Sequence, residues 1–420
     1  MVDIGTSRIK LAIFRDWRLE TLKTYRFTSM DGLLEPDYID EVGRYLDRNF
    51  SQIVITGQRA SIMGWSGSGD RSLVYTWRSD LGRDILGRVS GDPVASLFIR
   101  SGSGAPRIKR LLDMGYEYVG GVETYLTWLM TGRYVVDYSY AYTYGLLDPF
   151  ERLYSDYLLD LLDIDVDSLP TPVDSYEELI GEDMSITMIP DQSAALYGED
   201  PRLEHCKLTL GSGAFADKAV GETPVGDPDR GVIPIMISPV DGFMAEVYIS
   251  FWGSSLDRFL SIHGLNYSVL DSLDVELYHS LNIPPILLRG SFYDVEVSMD
   301  LDVGIEELAY GMAGAASYIV SLVSSVSDSR DLYIGGGGAV SHFFPEVISR
   351  VLDKNVYVRR RPELSTVYGA AAYLIKRMDG DASSFIDDVR PIERVYRGSD
   401  DMRWVFEKYV EGLEKHSSLG

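Results

Sequence analysis

Two stretches of this chain share one plan: an apolar strand, a turn of glycine and hydroxyl residues, and an immediate strand restart. The first is Val2-Asp3-Ile4-Gly5-Thr6-Ser7-Arg8-Ile9-Lys10, continuing into Leu11-Ala12-Ile13-Phe14. The second is Leu208-Thr209-Leu210-Gly211-Ser212-Gly213-Ala214-Phe215. They share little sequence, but one stands near the start of each half, which points to a duplicated α/β architecture with a cleft between the halves. The 420 residues suffice for two domains of about 200 each. The boundary is expected near 198–204, where Gly198-Glu199-Asp200-Pro201 reads as a linker. That gives domains 1–200 and 201–420.

The first turn carries chemistry as well as shape. Its backbone N–H groups and the hydroxyls of Thr6 and Ser7 can face phosphate oxygens while Asp3 faces a metal ion. Lys10 adds a point charge nearby. Alone, the same residues also describe an ordinary hairpin with a polar turn.

A formal net charge of -25 argues against the basic face that nucleic-acid binding requires. It leaves room for a nucleotide, whose phosphates a metal ion and a few local cations can neutralise. One cysteine, Cys206, permits no intramolecular disulfide and suits a reducing compartment. The histidines at 205, 263, 279, 342 and 416 lack zinc-ligand spacing. The first residues read as a strand rather than as the basic region and apolar core of a signal peptide, and no stretch approaches the ~18 apolar residues of a membrane span. A cytoplasmic protein without membrane or nucleic-acid partners is expected.

Hairpins are expected over 2–15 and 19–27, then a helix over 38–49 and a buried strand Ile53-Val54-Ile55-Thr56 ending at Gly57. Segments 62–65 and 73–77 flank a turn, Ser66-Gly67-Ser68-Gly69-Asp70. Residues 105–132 read as helical with a break at Gly120-Gly121. Tyr138, Tyr140, Tyr142 and Tyr144 recur with period two and read as one face of a strand. Met188-Ile189-Pro190-Asp191-Gln192-Ser193-Ala194-Ala195-Leu196 passes from strand through proline into a helix. Helices follow over 254–263, 305–323 and 368–376 and from Pro345. A strand at 332–334 runs into Gly335-Gly336-Gly337-Gly338, another covers 356–358, and the charged tail after Gly380 reads as peripheral.

Taken in order, several of these pieces carry a resemblance. They are Asp3 through Lys10; Ile55-Thr56-Gly57-Gln58-Arg59 with Val74-Tyr75-Thr76-Trp77; and Gly121-Val122-Glu123-Thr124-Tyr125-Leu126-Thr127-Trp128. Next come Pro190-Asp191-Gln192-Ser193-Ala194-Ala195-Leu196 and Thr209 through Phe215, and last Gly336-Gly337-Gly338-Ala339 with Tyr368-Gly369-Ala370-Ala371-Ala372. Together they resemble the sugar and polyol kinases of the FGGY carbohydrate kinase family, within the actin-like ATPase superfamily. The resemblance covers residues 2 to about 376.

It implies two ribonuclease-H-like domains closing over ATP, Mg²⁺ and a small sugar or polyol, with a homodimer as one expectation for the assembly. Asp191 falls where the family has its catalytic base; the plain alternative is a helix cap. Asp3 would hold Mg²⁺ through water. Gly5, Thr6, Ser7 and Lys10 would contact the transferring phosphate, Gly211, Ser212 and Gly213 the nucleotide tail, and Gly336, Gly337, Gly338 and Ala339 the nucleoside. Gln58, Arg59, Trp77, Asp80, Asp191 and Gln192 form the expected acceptor pocket. Departures accompany the match. Ala60 stands where the glycerol kinases have a glutamate, Phe98 where they have a tyrosine, and Met312 where an acid is common. The segment 284–304 is trimmed, His342 and Phe343 fall where an adenine-side asparagine is usual, and a start cut short is one reading of the amino terminus. The alternative from another class is a catalytically weakened sensor or scaffold of the same fold.

Overall fold

The computed structural model describes all residues except 6, 7, 27–32, 36, 47–49, 101, 181–183, 274, 276–286, 290–293, 297–303, 327, 328 and 418–420. The chain divides into two compact units: Met1–Ala194 with Ile235–Asp241 and Tyr373–Gly380, and Ala195–Pro234 with Gly242–Ala372 and Asp381–Gly420.

The first unit is built on a sheet of β1 (Val2–Ile4), β2 (Arg8–Arg15), β3 (Arg18–Arg26), β4 (Gln52–Gly57) and β5 (Ser185–Pro190), in the order β5-β4-β1-β2-β3. β1, β4 and β5 are parallel, and β2 and β3 fold back antiparallel. The unbroken apolar run Ile53-Val54-Ile55 suits β4, which is paired on both edges and buried. Register brings the strand ends level: Gly57 of β4 is opposite Ile4 of β1 and Pro190 of β5. The approach is close at Gly57, where a Cβ would lie 3.0 Å from the Ile4 carbonyl oxygen.

Helix α1 (Val122–Thr131) ends at Gly132 in the left-handed region. α2 (Tyr138–Tyr144) follows, and α3 (Asp191–Glu199) leaves β5 directly.

Two expectations fail here. The tyrosine run is a helix, not a strand. The Asp137 side chain caps it by accepting from the Ser139 N–H, and Gly145 ends it with φ 79°. Tyr140 and Tyr144, four apart, are the buried pair, so the apparent period of two was half of a helical spacing. The expected break at Gly120-Gly121 is a strand, Tyr118–Gly121, paired antiparallel with Ile62–Trp65.

In the second unit, β6 (Cys206–Leu210), β7 (Ala214–Gly221), β8 (Gly242–Ile249), β9 (Asp331–Gly335), β10 (Asn355–Arg359) and β11 (Ile392–Tyr396) share a sheet in the order β8-β7-β6-β9-β10-β11. Its helices include α4 (Trp252–Ile262), α5 (Ile305–Ser324), α6 (Phe343–Leu352), the part of α7 (Ser365–Arg377) before Tyr373, and α8 (Arg403–Ser417). α5 is buried along most of its length and packs against α6 and α8.

The tail after Gly380 is therefore not peripheral. β11 completes the sheet edge, and Met402, Val405 and Tyr409 belong to the second core. Nor is 198–201 a loose linker. Glu199 is wholly buried and ion-paired at 2.8 Å to Arg390, which is buried as well. Net charge hid this, since one paired carboxylate reads like any other acid in an acidic chain.

Candidate active site

In the first unit the predicted residues collect where the parallel strands end. Asp3, Thr56 and Ile189 form one row across β1, β4 and β5. The turn residues Gln58 and Arg59 follow β4, while Asp191 and Gln192 open α3. The carboxyl end of a parallel sheet is where such folds place ligands. Asp3 lies within β1 and Asp191 opens α3 two residues past Ile189 of the same row, so both belong to the first unit.

Arg59 Nε stands 3.9 Å from Asp191 Oδ1, with the two side chains 11% and 24% exposed. Asp191 Oδ1 also accepts from the Gln192 N–H at 2.9 Å, so the helix start both caps and orients it. Gln58 is buried, and its Oε1 accepts from the Ser61 hydroxyl at 3.2 Å. The Ser61 oxygen in turn accepts from the Trp77 N–H at 3.3 Å. Ser61 thereby ties Gln58 to Trp77, whose ring carries the Arg78 guanidinium at 5.0 Å. Asp80 is 81% exposed and pairs with Arg83 at 3.4 Å.

Asp3 is buried, and its Oδ2 accepts from Lys10 Nζ at 2.8 Å across the β1–β2 ladder. Gly5 closes the turn by donating to the Arg8 carbonyl at 2.9 Å. Thr6 and Ser7 lie outside the described residues. Among the described residues no cluster of three acids, histidines or cysteines could hold a metal. A single hard carboxylate fits Mg²⁺, which keeps several waters and takes phosphate oxygens for the rest.

Three residues around the site were assigned no role in it from the sequence. Arg107 is 1% exposed and donates to the carbonyls of Ala60 (3.2 Å), Ser79 (3.2 Å), Gly102 (3.1 Å) and Ser103 (2.6 Å). It staples the loop after Arg59, where Ala60 has φ 52°. Its four-residue spacing from Leu111 on a core-facing helix could have flagged it. Glu123 and Tyr140 line a small cavity with Thr56, Gly57 and Gln58, with room for about one water at its centre. Burial pushes the Glu123 carboxyl up to about 8.

In the second unit the glycine turn and the glycine run meet at the ends of β6 and β9. Gly211 donates to the Gly213 carbonyl at 2.8 Å, and the Ser212 carbonyl accepts from the Ser254 N–H at 3.1 Å at the start of α4. Gly336 has φ 89°, and a Cβ there would lie 2.5 Å from the Leu210 carbonyl oxygen, so only glycine fits. Beside it, Gly337 presents open backbone with nothing within 4 Å of a would-be Cβ. Gly338 and Ala339 are buried, and the His342 ring bonds the Tyr396 hydroxyl at 2.9 Å.

No family model matches the chain. It is 24% identical over 375 residues to an uncharacterized sugar kinase of Archaeoglobus fulgidus, covering 75% of each protein. It is 24% identical over 325 residues to a glycerol kinase of Thermococcus kodakarensis, covering 70% of this chain and 63% of that one. It is 34% identical to glycerol kinase 5 of Bos taurus, over 116 residues and 22% of that protein. Among solved structures, Plasmodium falciparum glycerol kinase with ADP superposes with a TM-score of 0.79 at 17% identity, covering 100% of this chain and 97% of that one. Ligand-bound xylulose kinase of Lactobacillus acidophilus gives 0.78 at 15%, with the same coverage. The chain thus has the mixed α/β fold of these solved kinase structures, and its sequence is similar to sugar and glycerol kinases.

Proposed function

We propose that this chain is an ATP- and Mg²⁺-dependent kinase that phosphorylates a hydroxyl of a sugar or polyol, with Asp191 as general base. The relatives described above support the reaction class, each being a kinase by name. The observation that carries the reading is the Arg59–Asp191 pair at 3.9 Å, one strand from the Asp3–Lys10 pair at the same sheet edge.

Phosphoryl transfer is mostly positioning and charge stabilisation. A carboxylate with an ordinary pKa of ~3.9 is a weak base toward an alcohol. It suffices when it is aimed, because the acceptor oxygen grows acidic as it bonds phosphorus. In this reading Asp191 Oδ2 takes the proton while Oδ1 stays on the Gln192 N–H. Arg59 and Gln58 bind acceptor hydroxyls, Trp77 covers a C–H face, and Lys10 meets phosphate charge. Asp3 would hold Mg²⁺, which when bound neutralises charge on the nucleotide phosphates. Gly211, Ser212, Gly213 and the 336–339 loop would hold the nucleotide. Thr6 and Ser7 stay assigned to the phosphate on sequence grounds.

Ala60 and Phe98 withdraw two polar partners from a glycerol-sized site, and a hydroxyl left unpaired on burial costs about 1–3 kcal/mol. Glycerol is therefore expected to be a poor acceptor. The test is ADP release screened over glycerol, erythritol, pentuloses, hexoses and inositols. One acceptor should give turnover that Asp191→Asn lowers by about two orders of magnitude or more. Turnover that survives the substitution would remove Asp191 from this role. Tight ATP binding without turnover on any acceptor would favour the sensor.

A further inference from the structure

The Tyr140 hydroxyl lies 3.2 Å from the Gly57 carbonyl oxygen and 3.0 Å from the Ile189 carbonyl oxygen. Gly57 immediately precedes Gln58-Arg59, and Ile189 is separated from Asp191 only by Pro190. Gly57 and Pro190 are the last registered pair between β4 and β5, and past them the ladder no longer holds the two chains together. Pro190 also lacks an N–H to extend it.

The helix that carries Tyr140 is fixed to the same strand by a second route. One oxygen of Asp137 accepts from the N–H and hydroxyl of Ser139 at 3.0 and 2.5 Å. The other accepts from the N–H and hydroxyl of Ser175 at 3.0 and 2.7 Å. The Ser175 oxygen accepts from the Met188 N–H at 2.9 Å. β5 is the outermost strand of its sheet, so these side chains supply what a neighbouring strand otherwise would. Met188 and Ile189 are both gripped just before the chain turns into Asp191.

We propose that Tyr140 is a positioning residue, its hydroxyl fixing the spacing between the Arg59 turn and Asp191 by clamping the two strand ends that carry them. The catalytic part of this inference rests on the proposed kinase reading; the clamp itself does not. One proton shared between two carbonyls makes a three-centre bond across the seam. Tyr140 is 1% exposed, so its hydroxyl makes these bonds shielded from bulk water. Burial raises the phenol well above its usual range, which keeps it a donor under all working conditions.

The test compares Tyr140→Phe with Tyr144→Phe on the same helix. Tyr144 is equally buried, but its hydroxyl accepts from the Gly121 N–H at 3.0 Å, away from the strand ends. With the acceptor found in the screen, Tyr140→Phe should lower kcat about tenfold with KM nearly unchanged, as expected for a displaced base. Tyr144→Phe should leave kcat close to that of the unaltered enzyme even where its melting temperature falls as far. Amide hydrogen exchange gives a second readout that needs no activity. Peptides spanning 54–60 and 186–193 should exchange faster in Tyr140→Phe and not in Tyr144→Phe. Unchanged exchange there, or equal kcat losses in the two variants, would overturn the clamp. Faster exchange in a protein that turns over no acceptor would sustain the clamp and sink the kinase reading.

Discussion

Arg59 and Asp191 approach to 3.9 Å, Nε to Oδ1, with both side chains largely shielded from water. At that distance the pair is electrostatic rather than a short hydrogen bond. The guanidinium thereby restrains the carboxylate from the turn that follows β4.

Arg59→Met should lower kcat/KM for the acceptor by about 10- to 100-fold, the equivalent of a charge-assisted hydrogen bond of roughly 1.5–3 kcal/mol. Arg59→Lys keeps the charge and loses the planar fork, so it should fall between the two. Steady-state kinetics on both variants decides this. An Arg59→Met enzyme with unaltered kcat/KM would take Arg59 out of the pocket.

Glu123 gives a dependence of stability on pH whose sign is fixed by burial. Desolvation raises its folded value to about 8 from an ordinary 4.5, and the carboxyl is neutral in the folded protein at pH 7. Below the unfolded value both states hold the proton and the fold is unpenalised. Between the two values only the folded state holds it, and stability is lost as pH rises at about 1.4 kcal/mol per unit. Above the folded value the loss levels off. Glu123→Gln removes the titration, so its melting temperature should fall less between pH 5 and pH 8.5 than that of the unaltered protein. Parallel curves would mean that the carboxyl is charged in the fold.

What the sequence disclosed and what it hid follow one physical division. Local signals with their own chemistry were legible: the glycine-hydroxyl turns, the proline-to-aspartate helix start at Pro190-Asp191, and the apolar run of β4. The row Asp3–Thr56–Ile189 needed strand register, which no local pattern encodes. Tyr140 was misassigned because a helical spacing of four also satisfies a period of two, and the Asp137 cap that decides between them is a single residue. Arg107 was missed because its partners are backbone carbonyls, which look the same whatever the side chain above them. Arg390 lay in a tail that composition marked as peripheral. Its partner Glu199 lies far away in sequence, and pairings at that distance leave no pattern to read.

That buried pair supports the last prediction. Arg390 Nη2 donates to Glu199 Oε1 at 2.8 Å, Nη1 to the Gly198 carbonyl at 2.6 Å and Nε to the Arg360 carbonyl at 3.1 Å. The Ser365 hydroxyl also donates to Glu199. Gly335, at the root of the glycine run, packs so closely that a Cβ would lie 2.4 Å from Glu199 Oε1. Glu199→Ala strands a guanidinium that has no exposed surface, and breaking such a pair costs about 3–5 kcal/mol. Replacing both partners together, Glu199→Leu with Arg390→Met, removes the charge as well as the pair and should cost much less than the single change. Urea unfolding of the single and double variants measures the difference. A Glu199→Ala loss under about 1 kcal/mol, the scale of an exposed ion pair, would mean that water reaches Arg390. The pair would then not be what holds the root of the glycine run in place.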